Sequence, residues 1–503
     1  MQESSSSSPL QIAFVASEAV PLAKTGGLAD VCGVLPRELS KLGHKCVLFL
    51  PGYRHALASG LPLDVTNFGF TIPMGGRHIA CRLLKTQLPD SNVDVILVDQ
   101  PQYFDRESLY GDAQGDYRDN CERFAFFCRA VVHAIDQMNM QPDVVHCHDW
   151  QTGLVPAYIA TGTGGYGWTK NATAIMTVHN LAYQGRFWHY DMVHTGLDWQ
   201  YFNWKQMEFY GDLCFLKTGL VFSDAVTTVS PTYAQEIRTP EHGCALDGVL
   251  RDRGESLIGI VNGVDYQVWN PATDRLLPQS YDVNNWRIGK RDCKQLLRSE
   301  LGLSNTDTVL IGIVSRLAAQ KGWDLIIPLM QRWLQTLRPV QWVVLGTGEE
   351  PIELELSRLA DHNRSKLAVR LEFSETLAHR IEAASDIFLM PSRYEPCGLN
   401  QLYSLRYGTV PVVHATGGLV DTVIEATADN LAQGIATGFA FHGYRLDELE
   451  HTLGRAVEIC RTEPTSWATL VENGMRQDWS WQRSAVQYQQ LYERTVASKR
   501  SQR

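Results

Sequence analysis

Short apolar runs rich in β-branched residues alternate along the chain with stretches whose apolar positions recur at helical spacing. The series opens with Gln11 to Ser17, a helical pattern over Gly27 to Leu42, and a second run at Cys46 to Leu50. Strand, helix, strand order of this kind predicts a parallel sheet covered by helices on both faces. Further strands are predicted at Val93 to Val98, Asp143 to Cys147, Ala174 to Val178, Ala225 to Val229 and Ile258 to Val261. A first domain over 10–268 then closes just past Asn262-Gly263-Val264-Asp265.

Between Trp269 and Lys294 the pattern turns polar, with Pro271, Pro278 and paired Asn284-Asn285, which suits a linker. A second alternating set follows at Val309 to Val314, Trp342 to Leu345, Leu367 to Leu371, Ile387 to Met390 and Val410 to Val413. Trp323, Ile326, Ile327, Met330, Leu334 and Leu337 mark the helix after the first of these strands. A second domain over 269–480 and a final helix over 481–503, packing back on the first domain, complete the expected layout. The fold class is α/β, with two Rossmann-like, doubly wound domains facing a central cleft.

Composition narrows the function. Lys and Arg total 45 against 55 Asp and Glu, a net charge of −10 without a long single-sign block, so the basic stripe of a nucleic-acid binder is missing. Eleven cysteines are scattered, odd in number and without a C-x-x-C pair, as suits reduced thiols in a cytoplasmic setting. No apolar run approaches the roughly 20 residues of a membrane span. The Ser-rich stretch Met1 to Pro9 is set aside as a leader or the stub of something removed.

Thr25-Gly26-Gly27-Leu28-Ala29-Asp30 is echoed by Thr416-Gly417-Gly418-Leu419-Val420-Asp421, each where a strand gives way to a helix. In open α/β sheets ligands bind at such ends, where exposed amides favour an anion. Taken singly, either glycine pair is equally well read as a tight turn. Arg316 and Lys321 follow a strand of the second domain, placed to hold a diphosphate and stabilise its leaving charge. Ser392 to Gln401 opens another helix there, and Glu395 is expected to accept sugar hydroxyls or to cap that helix.

His146-Cys147-His148-Asp149-Trp150 and Thr177-Val178-His179-Asn180 end two strands of the first domain. A metal site of His146, His148 and Asp149 is set aside, since alternation along a strand is expected to turn its residues to opposite sides and no Cys or His pair accompanies them. Gly346-Thr347-Gly348 lacks the third glycine of G-x-G-x-x-G, which disfavours hydride chemistry but leaves room for a nucleotide against the turn.

Together these segments resemble the bacterial glycogen synthases and plant starch synthases, retaining glycosyltransferases of the GT-B fold. The likeness runs from Ile12 to the final helix. It is carried by Lys24 to Val31, His148-Asp149-Trp150, Thr177 to Asn180, Val261 to Asp265, Ser315-Arg316 with Lys321-Gly322, Glu395 to Leu399, and Thr416 to Leu419. The resemblance implies glucose transfer from ADP-glucose to the non-reducing end of an α-1,4-glucan such as glycogen, starch or a maltooligosaccharide, without a cofactor or metal. It implies a bacterial cytoplasm, or a plastid stroma if a transit peptide has been removed.

By the same resemblance Lys24 and Gly27 lie near the diphosphate, and Arg316 and Lys321 neutralise the departing ADP. Thr416, Gly417, Gly418 and Leu419 cradle the distal phosphate and sugar, and Glu395, Cys397, Gly398 and Leu399 hold the glucose. On the acceptor side Asp149 lies in the attacking region and His179, partly through its backbone carbonyl, stabilises positive charge at the anomeric carbon; Asn180 binds substrate, and Tyr110 and Asn262 add sugar or ADP contacts. Broader relatives carry Glu-x7-Glu, whereas the second position here is Tyr403. Two rivals stand beside this reading: a UDP-sugar transferase of the same fold, and an inactive glucan-binding protein.

Overall fold

The computed structural model describes residues 8–112, 114–336 and 338–501. Most of the Ser-rich start and Leu337 therefore lie outside the described residues. The chain forms two compact units: one runs to Gly263 and takes up the chain again at Trp481, and the other is Val264–Ser480.

The first unit is built on a nine-stranded sheet. Its order is Leu257–Gly259, Ala225–Thr228, Thr173–Val178, Val144–His148, Gln11–Val15, Lys45–Pro51, Asp94–Asp99, Arg77–Gln87 and Asp64–Met74. The first seven strands are parallel, as their unbroken apolar runs require. The last two form an antiparallel hairpin that the apolar pattern does not announce, because much of Asp64–Met74 alternates exposed and half-buried positions. The turn between them is Gly75-Gly76, with φ of 52° and 82°, a left-handed conformation that glycine adopts without strain.

Helix Gly27–Lys41 follows the first strand, and helix Trp481–Ser501 packs against it. The turn back into this unit is tight: a β-carbon on Gly263 would lie 2.4 Å from the Trp481 Cα. Ser484 then donates to the Val261 carbonyl at 2.8 Å.

The second unit has six parallel strands, ordered Leu367–Arg370, Val340–Leu345, Val309–Val314, Ile387–Met390, Val410–His414 and Phe439–Phe441. The polar run expected as a linker belongs to this unit's body. Tyr281 is buried with its hydroxyl donating to the Tyr407 carbonyl at 2.8 Å, and Trp286–Leu301 is a helix. The buried Lys290 Nζ on that helix reaches Thr409 Oγ1 at 2.7 Å and the carbonyls of Ala383 and Tyr407. The segment looks polar because the helix turns only a narrow apolar stripe inward and shows charge elsewhere. No helix among the described residues is long and apolar enough to cross a membrane.

Candidate active site

Each sheet changes direction once. In the first unit successive strands spread outward on either side of the Gln11–Val15 and Val144–His148 pair, and in the second on either side of Val309–Val314 and Ile387–Met390. Ligands bind outside the carboxyl ends of strands at such switch points. The loops leaving those four strands carry most of the residues singled out from sequence.

In the first unit the chain leaves Val15 and reaches the buried Glu18, which organises the glycine loop. Its carboxylate accepts from the Thr25 amide at 2.5 Å, the Thr25 hydroxyl at 2.6 Å and the Gly26 amide at 3.1 Å. The anion at these amides is thus the chain's own carboxylate. Tyr110 donates to Glu18 Oε1 at 2.7 Å and its oxygen lies 2.8 Å from Ser17 Oγ, so its hydroxyl braces this loop. Lys24 and Gly27 remain exposed, with Lys24 Nζ 2.7 Å from Asp30 Oδ1.

Asp149 follows Val144–His148 with φ 56° and ψ −178°, a backbone state costly for a residue with a side chain. The state is held from both ends: the Asp149 amide donates to the Thr177 carbonyl at 2.9 Å, and its Oδ1 accepts from the His179 amide at 2.7 Å. Burial pushes this carboxyl up to about 7 despite the amide bonds, with Glu18 adding to the rise. His179 Nε2 lies 3.0 Å from His148 Nδ1.

His146 and His148 do not point apart. Being two residues apart they share one face of the strand, with ring centroids 4.1 Å from each other, so the expectation that alternation separates them is corrected. Asn180 Oδ1 turns the chain locally by accepting from the Ala182 amide. Asn262 is buried past the edge strand Leu257–Gly259, three strands beyond Val144–His148, with Oδ1 unpartnered among the described residues.

In the second unit Lys321 Nζ lies 2.6 Å from Glu395 Oε2, and Ser392 donates to the same oxygen at 2.9 Å. Glu395 therefore faces this cation; the helix that follows, Asn400–Tyr407, has Leu399 at its N-cap. Arg316 is exposed, with a guanidinium nitrogen 3.3 Å from Gln320 Oε1, and Gln320 Nε2 ties the loop to the Tyr394 carbonyl at 3.1 Å.

The second glycine pair brings two loops into backbone contact. A β-carbon on Gly417 would stand 2.0 Å from the Glu395 oxygen, and one on Gly418 2.1 Å from the Cys397 oxygen. The Gly418 amide donates to the Glu395 and Pro396 carbonyls, and the Leu419 amide to Thr416, so both are engaged within the chain. The Leu419 side chain is core, packed with Phe388, Met390 and Val413. Cys397 and Thr416 are buried, and Gly398 adopts φ 71°. Gly346 and Gly348 back the Ser315 to Leu317 segment, where β-carbons would strike the Ser315 and Leu317 oxygens.

Sequence reasoning gave no role to Glu18, Ser392 or Gln320. Glu18 stands just past a central strand at the switch point, a place where an acidic residue is itself a signal.

The glycosyl transferases group 1 model matches residues 297–459. Sucrose-phosphate synthase from Thermosynechococcus elongatus superposes with a TM-score of 0.59 at 18% identity, covering 97% of this chain and all of that one, a likeness of fold. Two doubly wound units, each with its polar edge at a switch point, define a GT-B glycosyltransferase.

The starch synthase catalytic domain model matches residues 11–252. Glycogen synthase from Rhodopirellula baltica is 48% identical over 98% of this chain and 99% of its own length, and that from Koribacter versatilis 44% identical over 96% and 98%. The catalytic domain of starch synthase IV from Arabidopsis thaliana, solved with ADP and acarbose, gives a TM-score of 0.89 at 33% identity over 97% of this chain and all of that one. The chain belongs to the glycogen and starch synthase family and is a glucosyltransferase of glucan synthesis.

Proposed function

We propose that the enzyme transfers glucose from ADP-glucose to the non-reducing end of an α-1,4-glucan, keeping the anomeric configuration and releasing ADP. The observation that carries this reading is the Lys321 and Glu395 pair at the switch point of the second unit, with Arg316 on the same loop. A cation held at a carboxylate supplies both charges the reaction needs: a positive one for the leaving diphosphate and a negative one for sugar hydroxyls and the developing positive charge. The binding of ADP and acarbose by the Arabidopsis relative supports both substrate classes.

In this reading the bond from the anomeric carbon to the ADP oxygen breaks while the acceptor hydroxyl attacks from the same face. The acceptor's proton passes to the departing phosphate. Arg316 and Lys321 hold that phosphate, Glu395 orients the glucose, and Asp149 and His179 serve the acceptor side. Lys24, Gly27, Asn180, Cys397, Gly398, Leu399, Thr416 and Gly417 complete the expected contacts, and Gly418 and Leu419, whose amides are engaged within the chain, shape the loop that carries them. Tyr110 contributes through Glu18, and Asn262 is the contact farthest from the switch point. The bacterial relatives support a cytoplasmic workplace.

Incubation with maltooligosaccharide and either ADP-glucose or UDP-glucose, following chain length and nucleotide release together, tests the reading. Lengthening matched by ADP release is expected. Turnover only with UDP-glucose, or glucan binding without nucleotide release, overturns it.

A further inference from the structure

Three imidazoles meet within the first unit. His146 is engaged at both nitrogens, with the Tyr492 hydroxyl 2.7 Å from Nδ1 and Thr177 Oγ1 2.6 Å from Nε2. His148 lies against it on one side and is stacked on Phe14 at 6.1 Å. The Nδ1 of His148 faces His179 Nε2, whereas its own Nε2 is buried and has no hydrogen-bond partner among the described residues. Burial pushes His146 and His179 down to about 3 and His148 well below its ordinary range, so each ring carries one proton.

The unpartnered nitrogen decides where those protons sit. If His179 Nε2 donated to His148, then His148 would keep its proton on the orphan Nε2, a buried N–H with no acceptor. If His148 Nδ1 donates, the orphan is only a bare lone pair. Orphaned buried donors are the rarer and more costly case.

We infer that His148 is a positioning residue: its Nδ1–H donates to His179 Nε2 and fixes that ring in one orientation and one tautomer, with the His179 proton on Nδ1. His179 is then held twice, through its peptide N–H by Asp149 and through its ring by His148. The ring nitrogen not engaged by His148 becomes a hydrogen-bond donor, suited to a sugar oxygen. The inference rests on reading His179 as an acceptor-side residue.

The test uses full-length enzyme labelled with 15N-histidine. Long-range proton–nitrogen spectra, assigned with a His179→Gln variant, should show His179 protonated at Nδ1 and bare at Nε2. His148→Phe keeps the stacking surface but no nitrogen. It should lower kcat about 10- to 100-fold, since misplacing a group at the reacting centre by about 1 Å can cost about 100-fold, with less change in KM for the donor and a loss of the single His179 tautomer. His148→Asn, whose amide can donate from the place of Nδ1, should restore most of kcat and the tautomer signature.

A wild-type His179 protonated at Nε2 would overturn the inference, as would His148→Phe with unchanged kcat, or Asn and Phe variants equally impaired. Should the wild type transfer no glucose, the functional reading fails while the spectrum still decides the tautomer.

Discussion

The phenol of Tyr403 lies flat on the indole of Trp269, with ring centroids 3.9 Å apart and planes within 2°. His379 covers the opposite face of the indole at 3.7 Å and 18°. Tyr403 occupies the position where broader relatives carry the second carboxylate of Glu-x7-Glu, and here that position belongs to an aromatic stack.

Restoring the carboxylate should therefore damage the fold. Tyr403→Glu loses the stack and brings a negative charge to the electron-rich face of the indole, costing about 2 kcal/mol. Urea unfolding checks this, and equal stability of variant and parent would refute it.

The Lys321 and Glu395 pair should act as a unit. Lys321→Met or Glu395→Gln should each lower kcat about 100- to 1,000-fold, the usual loss when one charge-stabilising group is removed. The double variant should be little worse than either single one, because each single change already breaks the pair. Steady-state ADP release in the three variants measures the coupling, and strictly additive losses would show that the two groups work independently.

Asp149 should imprint a pH dependence on stability. Its carboxyl titrates near 3.8 when free and at about 7 when folded. Between those values the folded protein keeps a proton that the unfolded chain has lost, so this residue's contribution is fully present below about pH 4 and is lost as pH rises through 7. A shift of that size corresponds to on the order of 4 kcal/mol. Asp149→Asn cannot titrate, so the stability of the parent relative to the variant should fall from pH 4 to pH 8. Parallel unfolding curves across that range would contradict the assignment.

The glycine pair offers a steric test. In Gly418→Ala the new methyl would stand 2.1 Å from the Cys397 oxygen, which must move and take Glu395 with it. A loss of about 1 to 3 kcal/mol in stability is expected, with a larger fall in kcat/KM for the nucleotide sugar than for the glucan. Gly167→Ala, with nothing within 4 Å of its β-carbon, serves as the control and should stay within about 0.5 kcal/mol.

The apolar runs along the chain marked the seven parallel strands of the first sheet and five of the six in the second, all but the short Phe439–Phe441, because a strand buried on two faces is legible from hydrophobicity alone. The motif residues at strand ends followed, since a strand's carboxyl end is where a doubly wound domain exposes its loops. The hairpin of Asp64–Met74 and Arg77–Gln87 was hidden by its mixed exposure, and Trp269 to Lys294 read as a linker because only a narrow stripe of that helix faces the core.

Only the tertiary structure decided the partners. Glu18 meets Tyr110 across 92 residues, Lys321 meets Glu395 across 74, and His146 meets Tyr492 across 346. Local sequence records which positions avoid water, but a buried polar atom must find its hydrogen bond wherever folding brings a complementary group, and that choice is made in space.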